Sequence, residues 1–253
     1  MITITFANSK GGAGKSTALM AVASALEARG HSTIVADLDD QGSLSSWLTV
    51  NDGSYHKPQN NLLDIRQIYF SSNEDENADK TYKALIKIEN ENPEFLLIDT
   101  KGKAEKTNAI AMAAADRVIC PTNGDSTEYE QIAFTFKNFK NTLASIAPNE
   151  RAEDYYRIMF TKTGVAMGAE VHAARKALKE TFNWYYGLPY LAAFNAAHLN
   201  GTTLNGLLDK AKSAIENKGI KTTKRERDQV AKYQKAVNAA DNFLSEILED
   251  INE

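Results

Sequence analysis

The run Lys10-Gly11-Gly12-Ala13-Gly14-Lys15-Ser16-Thr17 combines the groups that a phosphate chain needs. Glycines let backbone N–H groups turn inward and approach phosphate oxygens closely. Lys15 is spaced to reach β- and γ-phosphates, and the Ser16 hydroxyl can bind Mg²⁺. Two further groups carry carboxylates. Asp37-Leu38-Asp39-Asp40-Gln41 is an acidic cluster, and Phe95-Leu96-Leu97-Ile98-Asp99 sets an aspartate after four apolar residues, a pattern that holds Mg²⁺ indirectly. Phosphoryl transfer needs positioning and charge neutralisation more than covalent chemistry. No residue pattern points to a covalent intermediate. Taken alone, Lys10 also reads as a solvated charge, and the aspartates as a strand ending in a turn.

Such a loop must join a strand to a helix, because the helix N-terminus adds its own N–H groups and positive dipole end. Ile2, Ile4 and Phe6 alternate with Thr3 and Thr5, which predicts a strand before the loop. Leu19, Val22, Ala23 and Leu26 share one face of a helix expected from about Ser16 to Glu27, with Gly30 as its left-handed cap. Further strands are expected at Ser32 to Ala36, Glu94–Ile98, Arg117–Cys120 and Tyr156–Phe160, with helices near 79–90, 105–115, 126–147 and 168–181. Strands alternating with helices predict an α/β fold, a mostly parallel twisted sheet covered on both faces. The polar stretch Ser71–Asp79 reads as an exposed loop, and Asn217–Thr223, with Gly219, as a break. A long helix is expected over about 224–251, its stripe formed by Val230, Tyr233, Val237, Ala240, Leu244, Ile247 and Ile251. One domain spanning 1–253, closed by that helix, is the economical reading.

Composition excludes several classes. The chain has 253 residues, 43% apolar and 25% charged, enough for a large core without disulfides or structural metals. Its single cysteine, Cys120, excludes an internal disulfide framework or a cysteine-only metal site within one chain, and suits a reducing compartment. No stretch approaches 18 uninterrupted apolar residues, and the N-terminus lacks a secretory pattern, so a cytoplasmic protein is expected. With 29 basic and 33 acidic residues the net charge is −4, so any attraction to nucleic acid must come from a local patch.

Ser9 stands five residues before Gly14, where ordinary phosphate loops have glycine, and a second lysine, Lys10, follows it. This run, Asn8 to Thr17, resembles the deviant Walker A motif of the ParA/MinD superfamily. The resemblance implies a P-loop ATPase that binds ATP/ADP with Mg²⁺ and hydrolyses ATP slowly. It implies that Lys10 reaches across an ATP-dependent homodimer to the partner's phosphates. The segment Asp37 to Gln41, followed by Trp47, is similar to the family's second signature, which usually ends Asp-Pro-Gln; here Asp40 replaces the proline. By the resemblance, Asp39 positions or activates the attacking water and Asp37 lies near the metal, with Ser16 and Asp99. The family commonly continues after the Asp99 position with threonine and prolines, whereas this chain has Thr100-Lys101-Gly102-Lys103.

Weaker similarity covers roughly residues 1–208. Cys120-Pro121-Thr122 matches a proline-containing turn, and Thr161 occupies a place where many relatives have a nucleotide-contacting asparagine. Leu188-Pro189-Tyr190-Leu191-Ala192-Ala193-Phe194 and then Gly201-Thr202-Thr203-Leu204 resemble the family's late strand-to-helix region without its usual arginine. Adenine is expected near Thr161 and Pro189. With the loop starting at Lys10, no N-terminal DNA-reading domain is expected, as in small ParA proteins.

The cargo is read from charge. Lys210, Lys212, Lys218, Lys221, Lys224, Arg225, Arg227, Lys232 and Lys235 place nine bases within 27 residues, interrupted by four acids. ParA-like proteins bind DNA without sequence preference through bases in this general region, with salt-dependent affinity; a solvated helix face gives the same composition. Nonspecific DNA, nucleoid association and a ParB-like stimulating partner, in plasmid or chromosome partition, are therefore expected. Membrane binding of the MinD kind is not, because the last residues, Glu246 to Glu253, are acidic. A nitrogenase-iron-protein-like carrier needs two cysteines per subunit. The positioning of conjugal DNA-transfer machinery or other protein cargo, or a metabolic P-loop ligase, are the alternatives.

Overall fold

A computed structural model describes residues 1–40, 42, 44, 47, 62–103, 105–161, 168–189 and 192–253. Gln41, Tyr190 and Leu191 of the motifs above lie outside the described residues. In chain order the elements are β1 (Ile2–Phe6), α1 (Lys15–Ala28), β2 (Thr33–Asp37), β3 (Leu63–Gln67), α2 (Glu74–Asn90), β4 (Phe95–Asp99), α3 (Lys106–Ala113) and β5 (Arg117–Thr122). A 3-10 turn, Ser126–Glu128, then leads into α4 (Tyr129–Ile146), α5 (Ala152–Tyr155), β6 (Tyr156–Phe160), α6 (Ala169–Thr181), β7 (Trp184–Tyr185), α7 (Ala192–Leu199), α8 (Leu204–Lys218) and α9 (Lys224–Asn252).

Among the described residues the strands form one sheet in the order β3-β2-β4-β1-β5-β6-β7, every pairing parallel. The expected α/β class is the one observed. The chain leaves β1 toward β2 on one side and later fills β5 on the other. The loop after β1 therefore lies at the point where the strand order reverses, the usual ligand position in open parallel sheets.

Side-chain alternation along the strands builds two apolar layers. Ile4, Phe6, Val35, Leu97, Ile119 and Met159 pack with α1, α7, α8 and α9. Val118, Cys120, Ile158 and Phe160 meet α3, α4 and α6 on the other face, and Ile34, Ala36, Leu96 and Ile98 meet α2 and Ala111. Helix α1 is apolar nearly all round because it lies between the sheet and α9. Helix α9 starts from a capping box, Thr223 with Glu226, and buries Ala236, Ala240, Phe243, Leu244 and Ile247. Each of the three large side chains contributes about 2 kcal/mol by leaving water.

Two readings of local structure change. The segment expected as a loop over Ser71–Asp79 is helical from Glu74. The Asn73 side chain accepts from the N–H groups of Asp75 at 3.1 Å and Glu76 at 3.3 Å, and the acids of that first turn are stabilised by the positive end of the helix dipole. Sequence periodicity also missed β3 and β7. The first is an edge strand with alternating charge, Leu-Asp-Ile-Arg-Gln, and the second has two residues.

Candidate nucleotide site

The loop between β1 and α1 owes its path to glycine. Gly12 and Gly14 hold φ of +74° and +98°, which side-chain-bearing residues rarely adopt. A Cβ on Gly14 would also lie 2.9 Å from the Thr161 methyl carbon. The loop is anchored from both sides. Asn8 Nδ2 donates to the Pro121 carbonyl at 2.7 Å while its Oδ1 accepts from Lys10 N–H at 2.8 Å. Ser9 Oγ meets the Gln131 side chain of α4 at 3.0 Å. Lys15 and Ser16 open α1, and Lys15 is buried.

Three aspartates converge beside it. Asp37 and Asp99 end the neighbouring strands β2 and β4 as register partners, both fully buried. Ser16 Oγ donates to Asp99 Oδ2 at 2.7 Å. Asp37 accepts from the N–H groups of Asp39 at 3.0 Å and Leu44 at 3.3 Å, so it folds the chain that follows into a turn. Burial pushes the Asp99 carboxyl up to about 7; the Ser16 hydrogen bond and the Lys15 charge pull against this, and Asp37 and Asp39 add to it. Asp99 Oδ1 is buried with no hydrogen-bond partner among the described residues. An orphaned acceptor next to a serine hydroxyl fits a hydrated Mg²⁺, which takes few protein ligands and keeps waters and phosphate oxygens.

Beyond the loop lies a cavity of about 260 Å³ lined in part by Gly12, Gly14, Thr17, Thr161, Pro189 and Phe194. Thr161 and Pro189, expected at the adenine, therefore share one cavity with the phosphate loop. Thr161 Oγ1 reaches Asn123 Oδ1 at 2.8 Å, and Ala13 O at 3.4 Å. Asn123 and Asn195 also line the cavity and were missed in the sequence. So was Arg175 of α6, which donates to the Asn123 and Thr161 carbonyls at 2.7 and 3.0 Å and lies 4.9 Å from the Phe160 ring centre. No local pattern marks these residues; tertiary packing brings them together. Trp47 is fully buried and anchors the second signature through Nε1 to the Thr202 carbonyl at 2.9 Å.

Lys10 is held within its own chain. Its Nζ lies 3.1 Å from Glu128 Oε1, 3.7 Å from Asp125 Oδ2 and 3.3 Å from Thr127 Oγ1. Desolvation would lower its pKa, but Glu128 and Asp125 outweigh that and hold it above the ordinary lysine value. Glu128 is fully buried and also accepts from Thr122 Oγ1, Asn123 N–H and Gly124 N–H, so it keeps partners if Lys10 moves away.

The nine bases of the C-terminal region lie on α8, the turn after it and the start of α9, all exposed. Lys218 pairs with Glu226. No residue from Lys224 to Lys235 is buried, whereas α9 packs on the body of the fold from Ala236 onward.

A glycine-rich loop leaving the central strand at the reversal point, with carboxylates ending the two adjacent strands, defines a P-loop nucleotide-hydrolase class. The family model described as ATPase MipZ matches residues 2–136, just over half of the chain, and the chain belongs to that family, within the ParA/MinD superfamily of deviant Walker A ATPases. Protein virC1 of Rhizobium radiobacter is 27% identical over 137 residues, 54% of this chain and 55% of that protein. The match thus spans about half the length of this curated relative. An ATP complex of Cyanothece McdA superposes with a TM-score of 0.64 at 14% identity, covering 94% of this chain and 96% of that one. A plasmid partition protein from Borrelia burgdorferi superposes with a TM-score of 0.58 at 16% identity, covering 83% and 98%. At these identities the structural likeness is one of fold.

Proposed function

We propose that this ATPase binds ATP with Mg²⁺ in the loop Lys10–Thr17, closes as an ATP-dependent homodimer and, in that state, binds DNA without sequence preference. In this reading the N–H groups of Gly11 to Thr17 and the Lys15 ammonium hold the phosphates. Ser16, Asp37 and Asp99 would hold Mg²⁺, which when bound would neutralise phosphate charge. Asp39 orients the attacking water. Thr161 and Pro189 flank the adenine. Hydrolysis is slow, as the family resemblance implies. The exposed bases Lys210, Lys212, Lys224, Arg225, Arg227, Lys232 and Lys235 contact DNA phosphates, and dimerisation doubles that patch. Slow turnover then serves as a timer for partition of a plasmid or chromosome, with a ParB-like partner stimulating hydrolysis and release at the nucleoid. Conjugal DNA transfer or another protein cargo would run on the same cycle with a different partner.

The observation that carries this reading is the hydrogen bond from Ser16 Oγ to Asp99 Oδ2 at 2.7 Å, with its orphaned neighbour Oδ1, directly at the base of the phosphate loop. Lys10 bears on the dimer, because its acidic partner Glu128 is satisfied by other donors and can release it. Sedimentation with Mg²⁺ and a non-hydrolysable ATP analogue tests it. Wild type is expected to move from monomer to dimer and Lys10→Ala to stay monomeric. A wild-type chain that stays monomeric, or a Lys10→Ala variant that dimerises as well, would overturn the sandwich arrangement.

A further inference from the structure

Two residues that depart from the ParA/MinD pattern meet in space. Asp40 stands where the family signature has proline, and Lys101 follows Asp99-Thr100, where prolines are common. Lys101 Nζ lies 2.8 Å from Asp40 Oδ2. The same ammonium is 3.1 Å from Glu105 Oε2 and 4.4 Å from the Phe70 ring centre, and Lys101 is only 8% exposed. Its backbone is fixed as well. Asn108 accepts from Lys101 N–H at 3.2 Å and donates to its carbonyl at 3.0 Å. Burial alone would lower the pKa of this lysine, but Asp40 and Glu105 outweigh it and hold the ammonium charged.

The clamp acts on the neighbour of the water-orienting carboxylate. The Asp39 N–H is held by Asp37 Oδ1 at 3.0 Å, and its carbonyl accepts from Gln67 Nε2 and Gly42 N–H, both at 2.9 Å. Asp37 thus holds the turn from inside and Gln67 from the edge strand, and Asp40 adds a link to Lys101. A proline there would stiffen the turn covalently by locking φ. Aspartate gives no such restraint. Lys101 comes from the loop after β4, whose Gly102 lies against the phosphate loop: a Cβ there would be 3.5 Å from Gly11 Cα and 3.8 Å from Lys15 Nζ. The pair therefore ties the turn carrying Asp39 to the segment that touches the phosphate loop.

From this geometry we infer that Lys101 is a positioning residue for ATP hydrolysis, holding the Asp39 turn through Asp40 in place of the missing proline. The inference rests on the assignment of Asp39 above. Small displacements of an orienting group cost rate rather than binding. Lys101→Met, which keeps the stem on Phe70, and Asp40→Asn, at the exposed end of the pair, should each lower kcat about tenfold with KM for ATP within about twofold. The double variant should fall no further than either single one. Lys101→Arg, which can still pair with Asp40 and lie on Phe70, should keep kcat near wild type. Single-turnover hydrolysis of all four, alongside Asp39→Ala, separates the possible failures. Wild-type kcat in Lys101→Met or Asp40→Asn while Asp39→Ala is inactive overturns the positioning role and leaves the role of Asp39 intact. Losses that multiply in the double variant also overturn it. Wild-type turnover in Asp39→Ala overturns both.

Discussion

Asp37 and Asp99 stand side by side as register partners at the ends of β2 and β4, and neither is exposed to solvent. Two buried carboxylates so placed disfavour each other's charge. Lys15, Ser16 and the N-terminus of α1 lie against them, so the pair is tolerable as part of a site that receives a cation and polyphosphate. An apolar core has no use for that arrangement.

Lys15→Ala tests the loop itself. Lys15 is the buried ammonium of the phosphate loop. Its loss should lower ATP affinity by at least about tenfold and remove turnover, since one charge-assisted contact to phosphate is worth about 1.5–3 kcal/mol. Fluorescent-nucleotide titration and phosphate release check this; normal turnover would remove the site from this loop.

Asp39→Ala should separate binding from chemistry. The Asp39 N–H and carbonyl are held by Asp37 and Gln67, contacts that do not use its own carboxylate. ATP affinity should stay near wild type while hydrolysis falls about 100-fold, in the range of a lost general base or orienting group. The variant should accumulate the ATP-bound dimer. Unchanged turnover would place the water elsewhere.

The phosphate loop was legible because its chemistry is contiguous: Lys10 to Thr17 carries the glycines, both lysines and the serine hydroxyl in one run. Asp39 and Asp99 were legible as carboxylates following apolar strands. Asn123, Arg175 and Asn195 were not, because Asn123 and Asn195 reach the cavity from distant parts of the chain and Arg175 of α6 acts only through the Asn123 and Thr161 carbonyls. The pairing of Lys101 with Asp40 was invisible for the same reason, although each was visible singly as a departure from the family pattern. The early start of α2 did leave a signal, since Asn73 followed by Glu74, Asp75 and Glu76 is a capping pattern. Acidic composition hid it.

One carboxylate of the C-terminal helix gathers two arginines and a tyrosine of the sheet. Asp250 lies 2.9 Å from Arg117 Nε and 2.8 Å from Arg157 Nη2, and it accepts from Tyr185 Oη. The Nε contact is an off-axis charge contact, since that N–H makes no hydrogen bond, while Arg117 Nη2 donates to the Asp250 carbonyl. Asp250→Ala leaves two largely buried guanidinium groups short of their counter-charge and should cost about 2–3 kcal/mol. Urea unfolding should show a lower midpoint at an unchanged slope. A midpoint equal to wild type would mean that the other contacts of α9 hold it without the Asp250 carboxylate.

Glu27 gives α1 a pH-dependent weakness. Burial raises its pKa, opposed by the Thr203 hydrogen bond. With the folded-state pKa above the unfolded one, the native state binds the extra proton between the two, so stability falls as pH rises through that window and stays lower above it. Glu27→Gln should therefore raise Tm by a few degrees at pH 8 and leave it little changed at pH 4. Thermal melts at both pH values check the sign; a variant less stable at pH 8 would mean that the Thr203 contact outweighs burial.

The most direct test of the account is binding to a random-sequence DNA duplex, with ATP–Mg²⁺ and with ADP, over a salt series. The account predicts tight binding with ATP only, weakening at least about 100-fold between about 50 and 200 mM salt as counterions are displaced from several phosphates. Replacing Lys224, Arg225, Arg227 and Lys232 by alanine should lower affinity and flatten the salt slope together. Equal binding with ATP and ADP, or none with either, would contradict an ATP-gated DNA carrier.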